Sequence, residues 1–257
     1  MARNQRRGVF EARFPLEQRF RDITDLSDNG DGETKQQQLP RAEAPTLTIQ
    51  YEFAERVSRA TVAEALKHPT WTMGKKITVD SATLVNKALE VIEAHFLFSV
   101  SYSQIDIVIH PQSVIHGFAE FVDGSVLAQV GFPTMELPIL YALTYPDRVP
   151  DQGVRRFDPV AAGTLTFEAL QPERFPAYVV GREAARQGGT APARFNAANE
   201  VAVQLFLEEK IPFGRIAEVI ERVTGAGSRE PGVAASLEEV LAADAEARRL
   251  AQEAACL

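Results

Sequence analysis

The chain has 257 residues, of which 45% are hydrophobic and 24% are charged, a composition typical of an ordinary soluble globular protein. A net charge of -8 argues against nucleic acid as a partner, because the chain has no excess of basic residues to contact phosphates along a strand. No apolar run approaches the roughly 20 residues that cross a bilayer, so we expect no membrane partner. The single cysteine, Cys256, has no partner for an internal disulfide, and the basic N-terminus is not followed by the apolar segment of a secretory signal. We therefore predict a cytoplasmic protein.

The N-terminal segment differs in composition from the rest of the chain. Residues 1–46 are charged and polar, with an Asp-Asn-Gly-Asp-Gly run and three consecutive glutamines. Such a segment has too little apolar surface to offset the entropy lost on folding. We predict that residues 1–46 form a disordered leader.

The stretch from His68 to Glu90 contains most of the functional signal. Lys76 to Val79 alternates charged and β-branched residues, which predicts a short strand. Asp80 and Ser81 follow where a helix would begin, since their side-chain oxygens can accept from its free N–H groups. The predicted helix, 82–98, buries an apolar stripe made of Leu84, Val85, Ala88, Leu89 and Ile92. Its polar stripe consists of Thr83, Asn86, Lys87 and Glu90.

This polar stripe has the chemistry of a phosphate site. A hydroxyl at a helix N-terminus favours an anion, because the N–H groups and the helix dipole are positive there. Asn86 adds an amide donor and Lys87 adds a positive charge, so we predict a phosphate held by Ser81, Asn86 and Lys87. Glu90 projects from the same face and could reach a metal ion. The alternative is a solvated helix face with a Lys–Glu ion pair, which is the commoner case.

Later segments predict an α+β fold. A strand of β-branched residues, Ile105 to Ile109, precedes a hairpin of strands 116–122 and 125–130 around Asp123-Gly124, which favours antiparallel pairing. We assign 47–145 to a mixed or antiparallel sheet domain with helices and 146–167, rich in proline and glycine, to a linker. Residues 168–257 form a small C-terminal α-helical bundle with helices near 176–187, 196–209, 213–223 and 236–255.

Three ordered blocks of sequence resemble one enzyme family. They are HPTWTMGKKITVDSATLVNKALEVIEAHFLF, IHPQSVIHGFAEFVDGSVLAQVGFP and FNAANEVAVQLFLEEKIPF. Together they resemble 1-deoxy-D-xylulose 5-phosphate reductoisomerase over roughly residues 53–257. The resemblance implies a phosphorylated sugar substrate, NADPH, Mn or Mg, and a homodimer. It also implies a reaction that rearranges 1-deoxy-D-xylulose 5-phosphate and reduces it to 2-C-methyl-D-erythritol 4-phosphate, a step of non-mevalonate isoprenoid synthesis.

The resemblance also implies roles for individual residues. Substrate, chiefly its phosphate, is bound by His68, Ser81, Asn86 and Lys87. Trp71 and Met73 belong to a loop that closes over the site, and Ser113 and His116 line it. Pro133 and Met135 lie near the nicotinamide, and Glu90 is a metal ligand. Glu90, His68 and His116 are the catalytic candidates, whereas His110 and Asn199 are expected to be structural. Without the resemblance, a histidine near a strand end is more often structural than functional.

Two parts of the family pattern are missing from this sequence. The Asp-Ser-Glu motif that supplies further metal ligands is absent, and so is a Gly-rich turn between a strand and a helix that would bind NADPH. We therefore expect a truncated chain that corresponds to the C-terminal part of a reductoisomerase. It would contain a partial catalytic domain and no NADPH domain. The alternative is a catalytically inactive sugar-phosphate-binding or dimerisation remnant. Ala88 also stands where the family commonly has glycine, a change that helix propensity makes harmless.

Overall fold

The computed structural model describes residues 59–66, 74–225 and 235–256. The predicted leader lies outside the described residues. Within the described residues, the first three elements are helices: α1 (Val62–Ala65), α2 (Lys75–Ala82) and α3 (Val85–Phe98). They lead from the predicted phosphate region toward the rest of the fold.

Helix α2 replaces a predicted strand. The prediction of a strand from Lys76 to Val79 is wrong, because these residues lie in the first half of the helix. Lys76 and Asp80 form an ion pair at i,i+4 spacing, which only a helix brings within 2.6 Å. Val79 is completely buried in the core, and that packing outweighs the low helix propensity of β-branched residues. An alternation of four residues was too short to distinguish the two periods.

A sharp bend joins α2 to α3. Leu84 lies at the bend with a φ of 56°, in the left-handed region. The hydroxyl of Thr83 donates to the backbone oxygens of Val79 and Asp80 at 3.1 and 3.2 Å, so Thr83 is buried rather than part of the predicted polar stripe. Helix α3 begins at Val85, whereas the sequence predicted a start at residue 82. Its buried residues are Val85, Ala88, Val91 and Ile92.

The middle of the chain contains the β structure. After a 3-10 turn (Tyr102–Gln104) come β1 (Val108–Ile109), β2 (Ile115–Glu120) and β3 (Val126–Val130). The predicted hairpin is confirmed: β2 pairs antiparallel with β3, and Gly124 has a φ of 84° in the turn. The predicted buried strand Ile105 to Ile109 is wrong in length and burial, since β1 has two residues and Val108 is 49% exposed.

Helix α4 (Glu136–Thr144) and the short α5 (Pro159–Ala162) follow the hairpin. Strand β4 (Glu168–Ala169) then pairs antiparallel with β1, and a 3-10 turn (Pro172–Arg174) precedes the bundle. The pairing of β1 with β4 thus connects the β region to the segment directly before the bundle.

The C-terminal bundle is confirmed. Its helices are α6 (Pro176–Gln187), α7 (Ala191–Leu207), α8 (Arg215–Gly225) and α9 (Leu237–Ala255). Prolines in the first turns of α6 and α7, and a capping box at Ser236 before α9, explain where these helices begin. Helix α7 packs against α6, α8 and α9, and its Phe195 is completely buried. Among the described residues, no helix is both long and apolar enough to span a bilayer.

Candidate functional site

The first two turns of α3 bring three predicted site residues together. The side-chain amide of Asn86 donates to Oε1 of Glu90 at 2.7 Å, and Nζ of Lys87 lies 2.6 Å from its Oε2. Both oxygens of Glu90 are therefore bonded. The side chains of Lys87 and Glu90 are 38% and 45% exposed, so a ligand could reach them from solvent. The same contacts fit both the predicted phosphate site and the alternative of a solvated face with a Lys–Glu ion pair.

The electrostatics of this turn favour an anion. Because α3 begins at Val85, Asn86 and Lys87 lie where the backbone N–H groups have no helical acceptors. No acidic residue lies in this first turn. The dipole makes a positive charge unfavourable at a helix N-terminus, so Lys87 adds to a field that a bound anion would relieve. The anion-favouring helix end therefore lies at Asn86 and Lys87, not at Ser81.

Ser81 has a different position from the predicted one. It lies in the last turn of α2, and its hydroxyl donates to the backbone oxygen of Ile77 at 2.9 Å. The prediction that Ser81 begins a helix is wrong, because the helix starts earlier, at Lys75. Ser81 and Asn86 nevertheless flank the same bend at Leu84, and Ser81 is only partly buried.

Just before the bend, Asp80 makes a buried polar contact that the sequence did not predict. Asp80 is 3% exposed, and its Oδ2 accepts from Nζ of Lys76 at 2.6 Å. Its Oδ1 accepts from Nδ2 of Asn199, a completely buried residue of α7, at 2.9 Å. The expected structural role of Asn199 agrees with this contact. No local signal could have joined the two residues, because they are 119 positions apart.

The remaining predicted residues that the structure describes lie in the β region and at His110. Ser113 precedes β2 with a φ of 52°, and the exposed His116 is in β2, with its Nε2 near Gly131. Pro133 and Met135 follow β3, and Met135 directly precedes α4. The stretch with His68, Trp71 and Met73 lies outside the described residues. The expected structural role of His110 agrees with its contacts, since Nδ1 lies 2.9 Å from the backbone oxygen of Thr166 and the ring stacks on Phe167.

The described residues do not form a complete divalent-metal site. In the part of the chain that the structure covers, no three His, Cys, Asp or Glu side chains lie close enough together to hold a metal ion. Mg²⁺ takes six oxygen ligands in octahedral geometry, and Glu90 supplies one carboxylate that already bonds Asn86 and Lys87. Any metal at Glu90 would therefore need most of its ligands from elsewhere.

These features define a class of protein: an α+β domain that presents an amide, a cation and a carboxylate at the start of a helix, with a helical bundle behind it. Comparison with known sequences specifies the class further. The DXP reductoisomerase C-terminal domain matches residues 130–250, and the 1-deoxy-D-xylulose 5-phosphate reductoisomerase C-terminal domain matches residues 39–98. A 1-deoxy-D-xylulose 5-phosphate reductoisomerase of Synechococcus sp. is 54% identical over 198 residues, covering 77% of this chain and 49% of the relative. The enzyme of Citrifermentans bemidjiense is 54% identical over 199 residues, covering 77% of this chain and 51% of the relative.

Solved structures agree with the sequence comparison. A DOX-P reductoisomerase in complex with NADPH, fosmidomycin and magnesium superimposes with a TM-score of 0.72 at 41% identity, covering 79% of this chain and 51% of that one. The reductoisomerase from Zymomonas mobilis in complex with NADPH gives a TM-score of 0.69 at 40% identity, covering 80% and 51%. The chain belongs to the 1-deoxy-D-xylulose 5-phosphate reductoisomerase family. It spans about half the length of the curated relatives it matches.

Proposed function

We propose that this chain supplies the phosphate-holding part of a 1-deoxy-D-xylulose 5-phosphate reductoisomerase, the NADPH-dependent enzyme that forms 2-C-methyl-D-erythritol 4-phosphate. The observation that carries the proposal is the group at the start of α3, where Asn86, Lys87 and Glu90 meet at a helix end that favours anions. Fixing the phosphate would hold the reacting carbons of the substrate in one position. We keep the cytoplasm as the proposed compartment and expect no nucleic-acid or membrane partner.

Phosphate binding requires an exchange of partners at Glu90. Lys87 and Asn86 would move their hydrogen bonds from the Glu90 carboxylate to the phosphate. This exchange costs little, because an exposed ion pair contributes only about 0–1 kcal/mol. The hydroxyl of Ser81 would turn from the Ile77 carbonyl toward the same ligand. His68, Trp71 and Met73 remain proposed contacts and loop residues, and Ser113 and His116 remain proposed residues of the site lining.

This chain would supply only part of the binding sites for the cofactors of the proposed reaction. Related structures contain NADPH and magnesium, and in this chain Glu90 would contribute one ligand to Mg²⁺ or Mn²⁺, which would supply Lewis acidity when bound. Pro133 and Met135 would lie near the nicotinamide. Because the described residues do not complete a metal site, we assign them substrate holding and no step of the redox chemistry.

The phosphate site can be tested without catalysis. Titration calorimetry with 1-deoxy-D-xylulose 5-phosphate, in the absence of metal, should show binding that Lys87→Met weakens by about tenfold or more, since a charge-assisted hydrogen bond contributes roughly 1.5–3 kcal/mol. Glu90→Gln should bind at least as tightly as the wild type, because the competing carboxylate is gone. Arg249→Met, which removes a comparable exposed pair with Glu253 on α9, is the matched control and should change nothing. Equal binding by Lys87→Met and wild type would refute the phosphate site.

Catalysis by this chain is a separate measurement. NADPH oxidation is followed with the same substrate and Mn²⁺, and a rate above the blank supports reductoisomerase activity. A rate equal to the blank would reject activity for this chain while leaving the binding result intact. Both measurements together therefore distinguish an enzyme from a protein that only binds the sugar phosphate.

The second candidate function is a catalytically inactive remnant that binds sugar phosphate or dimerises. Exposed apolar side chains on and beside the hairpin favour it, because several large apolar side chains left open to solvent in one part of a fold are often covered by another protein surface. These are Phe118, Val122, Val126 and Leu127. We propose a homodimer, and sedimentation should show dimers that Leu127→Glu dissociates. Val179→Glu, an exposed apolar position of α6, is the control, and a monomeric wild type would reject the homodimer.

A further inference from the structure

The contact between Asp80 and Asn199 connects the proposed phosphate site to the bundle. Asp80 immediately precedes Ser81 near the end of α2, and Asn199 lies in the middle of α7. The 2.9 Å hydrogen bond between them crosses from one helix to the other. Since both residues are buried, solvent does not compete for this bond.

Packing two helices through this contact carries an unfavourable free energy of burying polar groups. A buried carboxylate is unfavourable unless its oxygens are hydrogen bonded, and here one oxygen depends on Asn199 and the other on Lys76. The side-chain oxygen of Asn199 is buried and finds no hydrogen-bond partner among the described residues, which adds a further cost. An apolar pair of similar volume would hold the helices together without either cost. The contact therefore provides something that packing alone does not, namely one fixed position of α2 relative to α7.

The end of α2 in turn determines where the site residues lie. The backbone oxygen of Asp80 accepts from the Thr83 hydroxyl, which helps to hold the left-handed bend at Leu84. Immediately beyond the bend, α3 begins and presents Asn86 and Lys87. A displacement of Asp80 would move both sides of the bend, and with them every donor of the proposed site.

We propose that Asp80 and Asn199 are a positioning pair for phosphate binding, a role that rests on the proposed function of Ser81, Asn86 and Lys87. Neither residue touches the ligand in this proposal. Asn199 holds Asp80, and Asp80 fixes the bend from which the donors project. A loss of the pair should therefore lower affinity for the ligand even in a chain that remains folded.

The test measures affinity at a temperature where every variant is folded by circular dichroism. Asn199→Ala should weaken binding of 1-deoxy-D-xylulose 5-phosphate by about tenfold or more, since a small displacement of positioned groups can cost up to roughly a hundredfold. Asp80→Asn keeps the shape of the side chain and serves if Asn199→Ala does not fold. The exchanged pair, Asp80→Asn with Asn199→Asp, preserves a hydrogen bond between the helices and should recover most of the affinity.

A control separates positioning from general stability. Glu246→Gln weakens the 2.7 Å ion pair between Glu246 of α9 and the buried Arg194. Arg194 lies in α7, as Asn199 does, but this pair connects α7 to α9 and not to α2. The variant should lower the melting temperature and change affinity less than twofold. If Asp80→Asn and Asn199→Ala bind like this control while Lys87→Met binds weakly, the positioning role is overturned and the proposed function stands. If the wild type itself binds no sugar phosphate, both fall together.

Discussion

Gly181 lies where α6 meets α3 and α7, and its replacement tests how tightly these helices pack. A Cβ added at Gly181 would lie 2.6 Å from the Cβ of Ala88 and 2.6 Å from Cζ of Phe195. Both neighbours are almost completely buried, and neither is the end of a flexible chain. Gly181→Ala therefore forces two helices apart at the segment that presents Asn86 and Lys87.

Two opposing terms set the size of the effect. Alanine is favoured over glycine inside a helix by about 1 kcal/mol. Overpacking a filled core costs about 1–3 kcal/mol, and two contacts at 2.6 Å place this site at the upper end. The net destabilisation should be about 1–2 kcal/mol, which lowers the melting temperature by about 2–8 °C for a chain of this size.

Thermal unfolding by circular dichroism measures this effect. Gly225→Ala is the matched control, because it is also a helical glycine but a Cβ there would meet no atom of the described residues within 4 Å. Adding Ala88→Gly to Gly181→Ala removes one of the two close contacts, so the double variant should recover about 1 kcal/mol relative to the sum of the single changes. If Gly181→Ala melts at or above the wild-type temperature, the packing argument is refuted.

Three further predictions concern other parts of the chain. The hydroxyl and the backbone N–H of Ser125 donate to Asp123 and lower the pKa of that carboxyl. Ser125→Ala should therefore raise this pKa toward the ordinary value in a carbon-detected NMR titration. The stability that the lowered pKa contributes is present above the unfolded-state pKa and is lost as pH falls through the lowered, folded-state pKa. Arg248 bonds one carboxylate on α7 and one on α9, so Arg248→Met should lower the free energy of unfolding by about 0.5–1 kcal/mol, and equal losses in low and high salt would contradict an electrostatic origin. Gly124→Ala places a side chain at a φ of 84° and should destabilise the hairpin by about 1 kcal/mol in thermal unfolding; an unchanged melting temperature would contradict it.

The bundle and the hairpin were predictable from sequence because their signals are local. Amphipathic periodicity places most helix ends close to those observed, but α7 begins at Ala191, more than a turn before the predicted start at residue 196. Asp123-Gly124 predicts the turn because glycine adopts the positive φ found there. Neither signal depends on which part of the chain packs against the segment.

The errors occurred where distant contacts decide the structure. The residues after Lys75 have an alternation that suits a strand, but Val79 is buried in the helical core and Asp80 bonds to α7. The residues before Ile109 are rich in β-branched side chains, yet only two find a strand partner, in Glu168–Ala169. In both cases the decisive partner lies far away in the sequence, so no short window could have revealed it.

The proposed phosphate site does not depend on Ser81 beginning a helix. Its donors, Ser81, Asn86 and Lys87, lie within seven consecutive residues, so any compact arrangement of this segment keeps them near one another. The bend at Leu84 moves the helix start to Asn86 and Lys87, and the anion-favouring field moves with it. Net charge is irrelevant at this scale: a chain with a charge of -8 still presents a lysine in the first turn of a helix, and that turn contains no acidic residue. What holds this arrangement in place is the buried contact between Asp80 and Asn199, and for that reason the contact is the more decisive target for mutation.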